Sequence, residues 1–506
     1  MWPQIILTLL LLEEYVSERI LPNILNIIVD DFGYSDVSWN NPSMVTPSLA
    51  RLAEEGVVLD QYYSQPRCSP SRAAMLTGVY PYKMSIQRGN IGPFRPAGLA
   101  TVFPTIPELL RERGYTSHLV GKWHLGFCHQ DYLPTHRGFH TFFGQLGQQT
   151  DHYTRVYQQN KHIGAGYDLW RGEELSYDGA GLYSSQLWAR EAVAVLERVE
   201  DGEDPWYLQV AFTGARAPYQ APDSWMGLYD EEEIARYDKE EFEMEVVRKG
   251  MVSAVDEAVG DILEKLRGSK DYNNTIVIFS SDNGSANPKA NLPFKGVRGH
   301  LSEGGVRVPA VVHSPLLKEG GRGRRIQDMI HITDWLPTIL GLADYDEDIT
   351  TDGEDIWPIL KEGKKGSRDT IIYNLDMDDQ SGNFQFGVRK ENWKLLWGRP
   401  EKFAVNRTPR KQHVELYNLS TDPYEENNLA KTHQNLVKGL QKLIIKMAGE
   451  LRPSFQPNRY SLGYPRYQEG LLRPGWCQTG WWDILWRQAH TQKIADTLEK
   501  IAFSDS

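Results

Sequence analysis

Asp30-Asp31 directly follows an apolar run at residues 24–29, and Asp282-Asn283-Gly284 follows another at 275–279 after two serines. Adjacent carboxylates at a buried strand end repel each other and resist desolvation. A divalent cation resolves both problems, and an all-oxygen donor set favours Ca2+ or Mg2+ over Zn2+. Either cluster alone also fits a solvated turn, but two, each closing an apolar run, point to one shared metal site. A third cluster is Cys68-Ser69-Pro70-Ser71-Arg72. Pro70 suits a first helical turn, which puts Cys68 near a helix N-terminus, where anions are stabilised and thiols activated. Arg72 adds a forked donor for a tetrahedral oxyanion. The spacing fits a reactive cysteine in an anion site and a structural thiol equally. In Gly121-Lys122-Trp123-His124-Leu125-Gly126, Lys122 and His124 would share one side of an extended segment. One can then hold an anion while the other moves a proton; a solvated lysine beside a core histidine fits as well.

Such scattered clusters need elements that gather them. Short apolar runs alternate with helical patterns over the first two-thirds of the chain, which implies βα units around a large, mostly parallel sheet flanked by helices. Strands are expected at 24–29, 117–120, 206–212 and 275–279. Thr46-Pro47 opens a helix that Gly56 closes, and Thr105-Ile106-Pro107-Glu108 opens one ending at Gly114. Residues 189–199 and 245–266 have helical periodicity. In open parallel sheets, ligands collect outside the carboxyl ends of the strands, so the polar clusters should meet at one rim. After residue 365 the texture changes. Runs at 370–373, 386–389 and 393–397 read as short strands, and 434–451 as a helix. The expected organisation is therefore an α/β domain at 21–365 and a smaller domain at 366–506 with an antiparallel sheet and a packed helix. Its Trp-rich stretch, 474–486, is expected to pack on the main domain.

The 506 residues are 40% hydrophobic and 24% charged, which suits a soluble globular protein with a sizeable core. A net charge of -12 argues against a nucleic-acid partner, because phosphate neutralisation needs a basic face. Cys68, Cys128 and Cys477 are too few for a disulfide scaffold, though Cys128 and Cys477 could form one bridge or stay buried thiols. The apolar run at 5–12 has the length of a signal-peptide core and is too short to span a bilayer. Residues 1–20 read as a secretory segment or a frayed helix, and no other stretch suggests a membrane span. Asn273, Asn406 and Asn418 are candidate glycosylation acceptors. Asn283 also sits in a sequon, but a metal ligand would be inaccessible to the transferase.

Taken together, these residues resemble the type I sulfatase family, and specifically its arylsulfatase B-like (N-acetylgalactosamine-4-sulfatase-like) branch. CSPSR at 68–72 fits the Cys-x-Pro-x-Arg signature, and GKWHLG at 121–126 fits the second. LPTHRGF at 133–139, EGGVR at 303–307 and ELYNLSTDPYEENNLA at 415–430 match further family patterns. The resemblance implies an alkaline-phosphatase-like sandwich and hydrolysis of sulfate esters. It implies that Cys68 is oxidised to formylglycine by a formylglycine-generating enzyme, and that Asp30, Asp31, Cys68, Asp282 and Asn283 bind one Ca2+. One hydroxyl of the hydrated aldehyde would attack sulfur, and His124 would take the proton of the second. Arg72 and Lys122 would orient the diol and hold sulfate. A sulfated small molecule or glycan and a secreted or lysosomal location follow from the same likeness. A phosphodiesterase of the wider superfamily would use Thr or Ser and two zinc ions, whereas this chain has the sulfatase cysteine.

Two positions depart from the family pattern. Arg216 stands where the family has a catalytic His, and Arg298 where it has a Lys. Both family residues contact sulfate and are linked to protonating the leaving oxygen. Arginine can hold sulfate but does not readily release a proton. The alternative to an active sulfatase is therefore a degenerate one that binds sulfated ligands without turnover. His140 is a further position that complicates transfer of specificity.

Overall fold

The computed structural model describes residues 21–158, 161–229, 239–317, 322–377, 384–398 and 413–478. The apolar run at 5–12, Asn406 and the tail tryptophans Trp481, Trp482 and Trp486 lie outside them.

A ten-stranded sheet forms the centre. Its strands are β1 (Asn23–Val29), β2 (Val57–Leu59), β3 (Thr116–Lys122), β4 (Thr141–Gln145), β5 (Trp170–Arg171), β6 (Glu174–Leu175), β7 (Trp206–Phe212), β8 (Thr275–Ser281), β9 (Ala310–His313) and β10 (Arg324–Ile326). In space they run β10-β2-β9-β8-β1-β7-β3-β4-β5-β6. The middle of this sheet is parallel: β8, β1, β7, β3 and β4 pair in that sense. β9 turns antiparallel against β8, as does β5 against β4.

Side chains alternate across the sheet, as a period of two requires. Ile24 and Ile28 of β1 join one buried cluster, with Ile276 and Ile278 of β8 and Tyr207 and Ala211 of β7. Leu25, Ile27 and Val29 join the other, with Val277, Phe279, Leu208 and Val210. Both faces are thus apolar and must be covered. Helices α1 (Pro47–Glu55), α4 (Ser184–Glu200) and α5 (Lys239–Arg267) cover the second face. Helices α2 (Cys68–Thr77), α3 (Ile106–Glu112) and α6 (Trp335–Leu342) cover the first. Each fully buried aliphatic side chain contributes roughly 1.5–3 kcal/mol, so this sandwich dominates stability.

The helix starts follow local signals with one difference. Glu108 accepts a hydrogen bond from the Thr105 amide at 2.7 Å, closing a capping box. Thr46 does not cap α1, because its hydroxyl is engaged by Ser38 at 2.9 Å. Asp256, on α5, accepts from the Ser48 and Leu49 amides instead, at 3.0 and 2.8 Å. A tertiary neighbour supplies the cap that the sequence assigned to a local residue.

The later part of the chain forms a four-stranded antiparallel sheet, β11 (Thr370–Met377), β12 (Phe384–Lys390), β13 (Trp393–Gly398) and β14 (His413–Asn418), in sequential order. Helix α7 (Gln434–Ala448) packs on it through Val437, Leu440 and Ile444. Beyond α7 the chain returns to the main domain, where Leu472 and Trp476 join the first buried cluster. Cys477 closes a disulfide with Cys128, spanning 349 residues of sequence. Among the described residues, no helix is long and apolar enough to cross a membrane.

Candidate active site

The register of the parallel strands brings their carboxyl ends to one rim. Val29 stands beside Phe212 on one side and Ser281 on the other, and Ala211 stands beside Gly121. The residues that follow these ends are Asp30-Asp31, the segment reaching Arg216, Asp282-Asn283 and Lys122 to His124. The Asp30 amide donates to the Phe212 carbonyl at 3.2 Å, and the Asp282 amide to the Val29 carbonyl at 3.0 Å, which locks the turns together. Helix α2 approaches this rim with Cys68 as its first residue.

Asp30, Asp31, Cys68 and Asp282 each offer a ligand atom, and these atoms lie within 4.8 Å of one another. All four residues are buried. The Asn283 side-chain amide donates to Asp31 at 2.6 Å, while its Oδ1 is buried with no hydrogen-bond partner. Burial and the Asp30 charge push Asp282 up to about 7. Burial also works to raise Asp30, but Lys122, Arg216 and Arg72 outweigh it and hold the group well below its ordinary value. Crowded carboxylates and an orphaned amide oxygen are what a bound hard cation would satisfy. The residues present therefore fit such an ion.

Four cations surround this cluster. Lys122 Nζ is 2.5 Å from Asp30 Oδ2. Arg72 donates to Asp282 at 3.0 Å and to the Lys122 carbonyl at 3.0 Å. Arg216 Nη1 lies 3.0 Å from Cys68 Sγ and 3.4 Å from Asp30 Oδ1. Arg298 pairs with Asp31 and is 24% exposed, which marks the open side of the site. His124 is buried, and neither ring nitrogen has a hydrogen-bond partner. Burial, with Lys122 and Arg216 nearby, keeps its pKa well below the ordinary histidine value, so the imidazole is neutral.

Every site residue singled out in the sequence thus lies in one cluster; one reading left open there is narrowed, and one expectation needs correction. Cys68 is not an activated thiol: burial, with Asp282 and Asp30 beside it, pushes it up to about 12. Burial first, and then the neighbouring carboxylates, outweigh the helix N-terminus. Lys122 and His124 do not share a side of one extended segment either. β3 ends at Lys122, and His124 takes a left-handed backbone, φ 61°. Asp31 does the same, φ 62°, a conformation costly for a residue with a side chain and found where a fold over-determines it. His140 sits elsewhere: its Nδ1 accepts from the Ser117 amide at 2.9 Å, at the opposite end of β3.

Sequence reasoning missed three neighbours. His152 is buried, with Nε2 3.2 Å from the Arg216 carbonyl and Nδ1 2.6 Å from Ser184 Oγ, so it holds the Arg216 backbone. Gln149 Oε1 accepts from Arg216 Nε at 3.4 Å. Neither carries a local signal. Arg67, beside Cys68, was legible as a charge next to the signature; burial and the Arg298 charge pull it below its ordinary value.

The likeness to known proteins agrees with this geometry. Residues 22–345 match the family model described as Sulfatase, and residues 298–450 match N-sulphoglucosamine sulphohydrolase, C-terminal. Arylsulfatase J of Mus musculus is 35% identical over 492 residues, covering 90% of this chain and 80% of its own. N-acetylgalactosamine-6-sulfatase of Canis lupus familiaris is 32% identical, covering 83% of this chain and 84% of its own. The crystal structure of Ps i-CgsB in complex with k-i-k-neocarrahexaose superposes with a TM-score of 0.74 at 27% identity, over 95% of this chain and 100% of that one. A rim of buried carboxylates around Cys68, in a fold matched along most of its length, places this chain in the sulfatase family.

Proposed function

We propose that this sulfatase cleaves sulfate esters of glycans or aryl alcohols with a formylglycine made from Cys68 and one Ca2+ held by Asp30, Asp31, Asp282, Asn283 and position 68. The observation that carries this reading is the convergence of those residues on Cys68 at the sheet rim. The ion would supply Lewis-acid stabilisation and orientation. Formylglycine would supply a hydrated aldehyde, whose two hydroxyls allow attack and then intramolecular release. Cys68 Sγ here stands in for an oxygen of that group.

The chain's own residues do the rest. Lys122, Arg216 and Arg298 hold the sulfate oxygens. Arg72, fixed by Asp282 and the Lys122 carbonyl, orients position 68. A neutral His124 with unengaged ring nitrogens takes the second hydroxyl's proton at a ring nitrogen. Arg216 stays protonated and holds its protons too tightly at ordinary pH, so it binds without acting as an acid.

Support for a glycan comes from the relative named for N-acetylgalactosamine-6-sulfatase and from the neighbour crystallised with a neocarrahexaose. The arylsulfatase B-like placement rests on the GKWHLG and LPTHRGF segments. A secretory route, ending in a lysosome or outside the cell, is supported by the Cys128–Cys477 disulfide, since such bonds persist in oxidising compartments. It would also expose the chain to a formylglycine-generating enzyme. Exposed Asn273 and half-buried Asn418 remain candidate acceptors, whereas Asn283 is fully buried. The domain division at residue 365 is likewise our reading.

The test combines the mass of the position 68 peptide from native material with an assay on 4-methylumbelliferyl sulfate. Formylglycine with turnover is expected. Formylglycine without turnover would leave a binding protein, and turnover with an intact thiol would remove the aldehyde mechanism.

A further inference from the structure

Arg67 is a cation without a carboxylate of its own. Each of the other four site cations has one: Arg72 has Asp282, Lys122 has Asp30, Arg298 has Asp31, and Arg216 leans on Asp30. Among the described residues, no acceptor takes a hydrogen bond from the Arg67 guanidinium. It is nevertheless partly buried and shares its electrostatic surroundings with Arg298, Arg216, Cys68 and Asp31. Its position is defined. The guanidinium lies against Gly299, where an added Cβ would sit 2.9 Å from Arg67 Nη2, and the Gly299 amide donates to the Pro66 carbonyl at 2.7 Å. The loop carrying Arg298 and the segment leading into Cys68 are thus clamped together, with the Arg67 guanidinium against the residue that follows Arg298.

Charge decides what belongs there. Five cationic side chains face three carboxylates, and a divalent ion would add to the positive surplus. A sulfate monoester brings a single negative charge, which Arg216, Arg298 and Lys122 already meet. The Arg67 and Arg298 charges repel each other, with Asp31 engaged by Arg298, until an anion arrives. We propose that Arg67 is a specificity residue that receives a second anionic group of the substrate, a carboxylate or a second sulfate carried on the alcohol portion near the scissile ester. This rests on the sulfatase reading above and adds the substrate class: sulfate esters of already anionic alcohols. Guanidinium binds either oxyanion through paired hydrogen bonds.

The test compares three substrates on the mature enzyme: phenyl sulfate, 3-carboxyphenyl sulfate and 1,3-phenylene disulfate. The leaving phenols are similar, and the two anionic arms separate a carboxylate from a sulfate. One anionic arm or both should be preferred over phenyl sulfate about tenfold or more in kcat/KM, the size of a charge-assisted contact. Arg67→Gln should bring that ratio close to one, acting through KM, and Arg67→Lys should keep part of it. Equal losses on all three substrates would show that Arg67 serves the scissile sulfate and would overturn the proposal. So would a wild-type enzyme that turns over phenyl sulfate with no preference for either anionic arm. Failure of wild type on all three would instead remove the hydrolysis on which the proposal stands.

Discussion

Arg216 approaches the Cys68 sulfur and the Asp30 carboxylate together, while His152 and Gln149 hold it from behind. A side chain so placed grips an anion well and donates a proton badly. With Arg216 in that role, turnover should depend strongly on how easily the alcohol leaves. General acid help is worth about 10²–10⁴-fold, and alkyl or sugar sulfates need it more than aryl sulfates. The variant Arg216→His, combined with Arg298→Lys, should therefore raise kcat/KM on an alkyl sulfate relative to 4-nitrophenyl sulfate by about tenfold or more. Steady-state kinetics on the two substrates reads this directly. An unchanged ratio would mean that proton delivery to the leaving oxygen lies elsewhere.

The strand end that delivers Lys122 leaves no room for a side chain just before it. Gly121 has φ 100°, and a Cβ there would sit 2.1 Å from the Ala211 carbonyl oxygen on β7. That neighbour is backbone at the carboxyl end of a parallel pair, so it cannot rotate away. Gly121→Ala should cost at least about 3 kcal/mol, from the backbone conformation and the clash together, and should move Lys122 away from Asp30. Thermal unfolding and kcat/KM would both fall. A soluble variant with unchanged melting temperature and activity would show that β3 and β7 are less rigidly joined than their register implies. The smaller sheet reaches the site through another element contact. Lys394 on β13 pairs with Glu303 at 2.8 Å and with Glu425 at 2.9 Å, and Glu303 also accepts from Tyr63 at 2.8 Å. This buried network anchors the segment that carries Arg298 five residues earlier.

Over the whole molecule, buried histidines and buried acids work in opposite directions as pH falls. Burial pushes His118 and His152 down to about 4. Their stabilisation is complete above about pH 6.5 and is lost toward pH 4, because the unfolded chain takes up protons first. Asp168, Asp256 and Asp334 are pushed up to about 6, again mainly by burial. Between about pH 6 and pH 4 the folded state takes up their protons first, so stability is gained. The two sets span similar ranges with opposite sign, and the melting temperature should vary by less than about 5 °C between pH 7 and pH 4.5. A scanning measurement across that range checks it; a drop several times larger would show that the histidines dominate. The same scale separates what was legible in the chain from what was not. Residue order determined the alternating strands, the helix starting at Cys68, the acidic strand ends and the CSPSR and GKWHLG signatures, because period and adjacency are local properties. Three of the smaller sheet's four strands were legible for the same reason, the strand His413–Asn418 being missed, as were the two arginine departures once the likeness was drawn. Only the tertiary structure decided that Asp256 caps α1, that His124 turns left-handed, that Cys128 meets Cys477 and that Arg67 lies against Gly299. It also decided that the Cys68 thiol is suppressed rather than activated. Each depends on charges or backbone brought together from distant parts of the chain, and electrostatics in a buried site follow distance in space, not separation in sequence.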